Sequence, residues 1–197
     1  VVLNAIKKFK INKFHKSICI MGAGFLGLLA AQIIKIKFPK ISVTIIDRNK
    51  EKLKLAKQFT NKIIHLSNSK DWQIFIKKNF KYDLILEAIG TPFSFESSIS
   101  ICKSNGKIIW MGNIYEDVIL TKQSINKILR NEIQISGTWN SNYKNTSSDD
   151  WADIIKLMKN KFAPSIFIDN KISLEDIPNL LESLHNHKIG KQKFVSI

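Results

Sequence analysis

A glycine-rich turn between a short apolar run and a helical segment constrains this chain more than any other feature of its sequence. Residues 17–21 read SICIM, residues 22–27 read GAGFLG, and apolar residues then recur at helical spacing as far as Pro39. A G-x-G-x-x-G pattern is weak alone, but here it follows a predicted strand and opens a predicted helix. In that setting the glycines permit a tight turn, close approach of a pyrophosphate, and packing of the helix on the strand. We therefore expect a dinucleotide-binding β-α-β unit, with a glycine-rich turn that binds nothing as the alternative.

Short apolar runs alternate with helical patterns through the first two thirds of the chain. Strands are predicted at 17–21, 43–47, 63–66, 83–87, 107–111 and 133–136, and helices at 1–10, 26–38, 50–59, 72–80, 95–102 and 123–129. Buried apolar strands separated by helices are typical of a parallel sheet covered on both faces. Six of them predict an α/β, doubly wound parallel sheet, the Rossmann fold.

The alternation of predicted strands and helices changes after Trp139. A polar loop at 140–148 leads into a predicted helix at 149–161, and apolar stretches at 166–172 and 194–197 flank another at 174–184. This tail does not simply extend the strand–helix alternation. We therefore assign residues 1–139 to the dinucleotide-binding domain with its N-terminal helix, and residues 140–197 to a second structural unit.

Asp47 ends the second predicted strand, 20 residues after Gly27. A carboxylate there can accept hydrogen bonds from the ribose hydroxyls of adenosine and would repel a 2′-phosphate, which favours NAD over NADP. Arg48 keeps NADP open, because a guanidinium could pair with that phosphate. Asp47 could instead cap the following helix, although Asn49 can serve as that cap.

The charge of the chain suggests nucleic acid as a partner, but its distribution does not. Lys and Arg number 31 against 16 Asp and Glu, a formal net charge of +15. The lysines are scattered over almost every segment beside many Ile and Asn, a mixture that an A+T-rich coding sequence produces. We expect solvated helix faces and no nucleic-acid partner. No apolar run approaches the roughly 20 residues that cross a bilayer, so no membrane partner is expected.

The cysteines and histidines do not form a recognisable metal site. Cys19 and Cys102 lie in apolar surroundings, which predicts buried thiols in a reducing cytoplasm. Two cysteines cannot form a structural zinc site alone. His65, His185 and His187 are expected to be structural or exposed, because no cysteine or second cluster supports them as ligands.

Methyltransferases that use S-adenosylmethionine are an alternative with a similar fold. They also have a glycine-rich first loop and an acidic end to the second strand. They usually carry an acidic residue just before the glycines, where this chain has Ile20 and Met21. The sequence therefore disfavours this alternative and leaves it open.

Together these motifs resemble the C-terminal half of zinc-type medium-chain dehydrogenases/reductases, in the polyol and sorbitol dehydrogenase branch. The similarity covers nearly the whole chain. It includes the N-terminal helix, GAGFLG, Asp47-Arg48, EAIG at 87–90, GKIIWMG at 106–112 and Gly190-Lys191. GTWNS at 137–141, followed by Asp150-Trp151, most resembles the galactitol-1-phosphate 5-dehydrogenase subfamily.

The resemblance implies hydride transfer from a secondary alcohol, a polyol or sugar-alcohol phosphate, to NAD. It also implies a homodimer or homotetramer. In this family the zinc ligands and proton relay lie in a domain upstream of the position that corresponds to Val1. We therefore expect no catalytic or metal-binding residue in this chain, and expect residues 140–197 to belong to that catalytic domain. A stand-alone NAD-binding or sensing module without catalysis is the alternative.

By resemblance, residues 88–90 and 111–112 line the nicotinamide side of the cleft, and Gly137 and Thr138 offer backbone groups to the carboxamide. Lys191 lies near the pyrophosphate or is a solvated lysine before an edge strand. The residues that we expect to contact the dinucleotide are Gly22, Gly24, Phe25, Leu26, Gly27, Asp47, Arg48, Ala88, Ile89, Gly90, Met111, Gly112, Gly137, Thr138 and Lys191.

Overall fold

The computed structural model describes residues 1–145, 147, 149–159, 161–168, 170–186 and 194–196. The chain divides into two compact units, Val1–Phe162 and Ala163–Ile197. The predicted boundary after Trp139 would separate the dinucleotide-binding domain from a catalytic domain, and it stays a prediction. Among the residues described, no helix is both long enough and apolar enough to cross a membrane.

The first unit alternates helices and strands, which confirms the predicted α/β class. Its elements are α1 (Val2–Lys8), β1 (Ser17–Met21), α2 (Phe25–Lys37), β2 (Ser42–Asp47), α3 (Lys50–Ala56), β3 (Lys62–His65), α4 (Ser69–Lys77), β4 (Tyr82–Glu87), α5 (Pro92–Ser100), β5 (Cys102–Trp110), α6 (Lys122–Arg130), β6 (Gln134–Gly137) and α7 (Asp150–Met158).

The six strands form one parallel sheet in the order β3-β2-β1-β4-β5-β6. This is the strand order of a doubly wound dinucleotide-binding fold, as predicted. The chain winds outward in one direction from β1 to β3 and in the other from β4 to β6. The carboxyl ends of β1, β2 and β4 therefore meet where the winding reverses, and ligands bind at such switch points in open α/β sheets.

The centre of the sheet is apolar on both faces, because helices cover each side. In β1, Ile18, Cys19, Ile20 and Met21 are fully buried. Cys19 and Cys102 are both buried free thiols, as predicted. Burial raises the pKa of the Cys19 thiol far above its usual range and is the main cause that raises the pKa of Cys102 to about 12.

The helix predicted over 95–102 is wrong at its C-terminal end. Instead α5 ends at Ser100, and Cys102 begins β5 opposite Tyr82. The register then shifts so that Lys107 pairs with Leu84. Apolar residues at the junction fit the end of a helix and the start of a buried strand equally well, so their spacing does not distinguish the two.

The second unit is described only in part. It contains a 3-10 turn (Pro164–Phe167), β7 (Asn170–Ile172), α8 (Ile177–His185) and β8 (Phe194–Ser196). Strands β7 and β8 pair in parallel. The predicted helix at 174–184 is confirmed from Ile177 onward. His187 and Lys191 lie outside the described residues.

Candidate functional site

The three glycines of the first turn differ in what surrounds them. Gly22 has a φ of 104°, in the left-handed region that favours glycine, and its N–H donates to the Ile46 carbonyl oxygen at 2.8 Å. A Cβ on Gly27 would collide with the carbonyl oxygen of Gly22, so only glycine lets α2 pack so closely on this turn. A Cβ on Gly24 would meet no atom of the described chain within 4 Å. The space in front of Gly24 is therefore open.

The start of α2 faces this open space. Gly24 is the N-cap of α2 and has no side chain with which to cap the first turn. Phe25 and Leu26, the first two residues of the helix, are 38% and 40% exposed. The amino end of a helix carries partial positive charge and favours anions. This arrangement suits a phosphate group.

Asp47 ends β2, and its carboxylate is bonded to the glycine turn. Its Oδ2 accepts a hydrogen bond from the Ala23 N–H at 2.6 Å, and its Oδ1 accepts one from the Asn49 N–H at 2.7 Å. The side chain of Asn49 accepts from the N–H groups of Glu51 and Lys52 and so caps α3. Asp47 is therefore not the cap of that helix. A carboxylate has about four acceptor positions, so Asp47 can accept further hydrogen bonds.

Arg48 and His65 lie beside Asp47 on the exposed surface. His65 is the register partner of Asp47 in β3, and its Nε2 is 3.0 Å from the Arg48 carbonyl oxygen. The ring of His65 thus contacts the backbone, in agreement with a structural or exposed role. Across the residues described, no group of three or more His, Cys, Asp or Glu could hold a metal ion.

The side chain of Glu87 holds the turn that follows β4. It is completely buried, at 0% exposure. Its Oε1 accepts hydrogen bonds from the Ile89 N–H (2.8 Å), the Gly90 N–H (2.9 Å) and the Ser94 hydroxyl (2.8 Å). The turn at 88–90 is therefore fixed from inside the protein.

This β4 turn lies against the glycine turn. A Cβ on Gly22 would lie 3.1 Å from the Ala88 carbonyl oxygen and 3.2 Å from a side-chain carbon of Ile89. Gly90 has a φ of 83°, and a Cβ there would collide with the Asn113 carbonyl oxygen. The side chain of Ile89 remains 40% exposed. Residues 88–90 thus form one wall beside the switch point.

The ends of β5 and β6 continue this edge of the sheet. The N–H groups of Met111 and Gly112 both donate to the backbone carbonyl oxygen of Glu87, at 2.9 and 3.1 Å. The Thr138 N–H donates to the Trp110 carbonyl oxygen at 3.0 Å. The Thr138 hydroxyl is buried, and no described residue gives it a hydrogen-bond partner.

The strand register brings most of the predicted site residues to one edge. Met21 lies opposite Ile46 and Glu87, Glu87 lies opposite Trp110, and Trp110 lies opposite Gly137. The ends of these strands, the turns that follow them and the first turn of α2 contain all the predicted contacts except Lys191, which lies outside the described residues. That these residues contact a dinucleotide stays a prediction.

Two side chains at this edge are missing from the predicted set. The sequence could have indicated Glu87, because a carboxylate at the end of an apolar strand must find hydrogen-bond donors when buried. Nothing in the sequence indicates Lys8, whose Nζ donates to the Gly137 carbonyl oxygen at 2.6 Å across 129 positions of sequence. Only the fold brings those two residues together.

Residues 26–160 match the family of zinc-binding dehydrogenases. The match covers more than half of the 197 residues. The chain belongs to this family. The resemblance inferred from the sequence motifs is thereby confirmed.

Three members illustrate the similarity. Galactitol 1-phosphate 5-dehydrogenase of Escherichia coli (strain K12) is 30% identical over 167 residues, which cover 83% of this chain and 45% of that protein. The crystal structure of galactitol-1-phosphate dehydrogenase from Escherichia coli has a TM-score of 0.80 and 26% identity, covering 98% of this chain and 56% of that one. D-xylulose reductase of Saccharomyces cerevisiae is 27% identical over 205 residues, covering 99% of this chain and 54% of that protein.

A further relative was solved with a bound dinucleotide. Acetophenone reductase from Geotrichum candidum, in complex with NAD, has a TM-score of 0.73 and 27% identity, covering 99% of this chain and 52% of that one. The chain spans about half the length of these relatives.

Proposed function

We propose that this chain is the NAD-binding part of an alcohol or polyol dehydrogenase. The observation that carries the proposal is the hydrogen bond between Asp47 and the Ala23 N–H. It joins the acidic end of β2 to the glycine turn at the switch point of the sheet, where a dinucleotide would lie. The similarity to a reductase solved in complex with NAD supports the same cofactor assignment.

In this proposal the glycine turn and the amino end of α2 bind the pyrophosphate. The open space at Gly24 lets phosphate oxygens approach the backbone, and the helix dipole favours their charge. Asp47 accepts hydrogen bonds from the adenosine ribose and disfavours a 2′-phosphate through charge repulsion. The exposed Arg48 lies next to it, and its guanidinium could pair with the 2′-phosphate of NADP.

The nicotinamide lies farther along the same edge. Residues 88–90 and 111–112 form its walls, and Gly137 and Thr138 face its carboxamide. The buried Thr138 hydroxyl supports this assignment, because a buried hydroxyl that lacks a protein partner can bond to a ligand. Lys191 is retained as a contact of the pyrophosphate.

We infer that the whole protein oxidises a secondary alcohol. A hydride leaves the carbinol carbon for NAD⁺, and a ketone, NADH and a proton result. The names of the relatives favour a polyol or a sugar-alcohol phosphate as the substrate. Among the described residues, no group of three or more His, Cys, Asp or Glu could hold a metal ion. The part of this chain is to bind the dinucleotide and orient the nicotinamide.

Three further assignments complete the proposal. Residues 140–197 belong to the catalytic domain of the whole enzyme, which is a homodimer or homotetramer. The protein resides in the cytoplasm, where a reducing environment suits its two buried free thiols.

Calorimetric titration of the 197-residue chain with NAD⁺, NADP⁺, ADP-ribose and S-adenosylmethionine tests the cofactor assignment. We expect NAD⁺ and ADP-ribose to bind, NADP⁺ to bind more weakly, and S-adenosylmethionine not to bind. Tighter binding of S-adenosylmethionine would indicate a methyltransferase. Failure of NAD⁺ and ADP-ribose to bind would overturn the proposal.

A further inference from the structure

Glu87 is a carboxylic acid in the most apolar part of the sheet. It ends β4, between β1 and β5, and is completely buried. Its Oε1 accepts three hydrogen bonds, whereas its Oε2 is buried and has no partner among the residues described. Burying a carboxylate is costly, so an apolar residue would be expected at this position of a β-strand.

The three donors explain what the carboxylate does. Two of them are the backbone N–H groups of Ile89 and Gly90, in the turn that follows the strand. The third is the hydroxyl of Ser94, in the first turn of α5. An apolar side chain in place of Glu87 would leave the two backbone groups buried without an acceptor. The turn would then have to rearrange.

The neighbouring turn at 111–112 is bonded to the backbone of Glu87, as it would be to any residue there, and packs against its side chain. The backbone carbonyl oxygen of Glu87 accepts from the N–H groups of Met111 and Gly112. A Cβ on Gly112 would lie 2.7 Å from the Glu87 Oε2 and would collide with the backbone nitrogen of Gly90. The two turns are thus in direct contact around one side chain, and neither can move toward the other.

We propose that Glu87 is a positioning residue: its side chain fixes the turn at 88–90, against which the turn at 111–112 packs, and so sets the width of the nicotinamide site. The inference rests on the proposed function, because it assumes that these turns face the nicotinamide. Glu87 itself does not touch the cofactor, since it is buried behind both turns. Its effect should therefore fall on the nicotinamide half of the dinucleotide and spare the ADP-ribose half.

The test compares NAD⁺ with ADP-ribose, which lacks only the nicotinamide. In the full chain, Glu87→Ala should weaken NAD⁺ binding on the order of tenfold, because the two N–H groups of the turn lose their acceptor, and should leave ADP-ribose binding unchanged. Glu87→Gln keeps an oxygen acceptor, so it should restore part of the lost NAD⁺ affinity. Ile99→Ala, which truncates a fully buried residue of α5, controls for general destabilisation and should not change the ratio of the two affinities.

Equal losses for both ligands in Glu87→Ala, or no loss for either, would overturn the positioning role. If Glu87→Ala does not fold, Glu87→Gln and Ser94→Ala decide the question, and an unchanged affinity ratio in both would overturn the inference. Wild-type protein that binds neither ligand would instead refute the proposed function, and the inference with it. The two failures are therefore distinguishable.

Discussion

The carboxylate of Asp47 and the backbone N–H of Ala23 are joined by a hydrogen bond with an Oδ2···N distance of 2.6 Å. In Asp47→Asn the amide oxygen can still accept from Ala23, but the negative charge is lost. We expect NAD⁺ affinity to fall on the order of tenfold, because a hydrogen bond to a charged group is worth about 1.5–3 kcal/mol. NADP⁺ should lose less, since the repulsion of its 2′-phosphate is removed. Calorimetric titration at constant ionic strength measures both.

Asp83 provides the matched control for Asp47. It also accepts hydrogen bonds from backbone N–H groups, those of Lys16 and Ser17, but it lies near the amino end of β4. Asp83→Asn should therefore leave the ratio of NAD⁺ to NADP⁺ affinity unchanged. An unchanged ratio in Asp47→Asn as well would refute the role of Asp47 in cofactor selection.

Alanine substitutions at Gly24 and Gly27 should affect different properties, ligand binding at Gly24 and stability at Gly27. In Gly27→Ala the new Cβ would overlap the Gly22 carbonyl oxygen, so the free energy of unfolding should fall by about 1–3 kcal/mol, the usual cost of overpacking. In Gly24→Ala the methyl group meets no described atom, so the loss should be about 1 kcal/mol or less. That methyl group would nevertheless occupy the space where we propose that the pyrophosphate binds. Urea denaturation and NAD⁺ titration of both variants separate the two effects.

Equal affinity of wild type and Gly24→Ala for NAD⁺ would count against a dinucleotide at this turn. A Gly27→Ala protein as stable as wild type would show instead that α2 can shift away from Gly22. Each glycine is thus tested by a different measurement.

The sequence predicts the order of the strands and helices well, because these elements follow from local patterns. Apolar runs of four or five residues indicate the strands, and the glycine turn indicates how β1 passes into α2. Since β1 and β2 are parallel, the same reasoning brings Asp47 to the glycine turn before the structure is known. That its carboxylate bonds to the Ala23 N–H in particular is not predictable, because the partner depends on the side-chain rotamer.

Long-range contacts account for what the sequence does not predict. Cys102 begins a strand because Tyr82 pairs with it, and no residue near Cys102 in the sequence indicates that pairing. Lys8 reaches the Gly137 carbonyl oxygen only because α1 ends near β6 in the folded chain. Such contacts depend on the whole arrangement of the sheet, whereas hydrophobic periodicity reports only local structure.

Asp83 should make stability depend on acid pH. Burial opposes its ionisation, but hydrogen bonds from Lys103, Ser17 and Lys16 outweigh burial and lower the pKa of Asp83 to about 2. The stabilisation is complete above the ordinary pKa of 3.8 and is lost as the pH falls through about 2. Asp83→Asn should therefore be less stable than wild type at pH 5, on the order of 1 kcal/mol, with the difference shrinking towards pH 2. Urea denaturation across this range checks the convergence, and a constant difference would contradict it.

Lys127 should make stability depend on alkaline pH, and here too stability should rise with pH. The Nζ atoms of Lys127 and Lys81 both donate to the Ser100 carbonyl oxygen, each at 2.6 Å. Burial, together with the nearby ammonium of Lys81, lowers the pKa of Lys127 to about 8 from its ordinary 10.5. Between these two values the unfolded chain binds more protons than the folded chain, so this residue makes stability rise with pH.

Replacing the Lys127 ammonium should remove that dependence. Lys127→Met leaves the Ser100 carbonyl oxygen bonded to Lys81, so the variant should be more stable than wild type at pH 7 and should lose this advantage by about pH 10.5. Lys81→Met removes the neighbouring positive charge instead, and the rise in stability should then begin at a higher pH than in wild type. Denaturant unfolding of the three proteins from pH 7 to 10.5 measures these differences. Parallel curves for wild type and Lys127→Met would show that the two ammonium groups do not oppose each other in the folded chain.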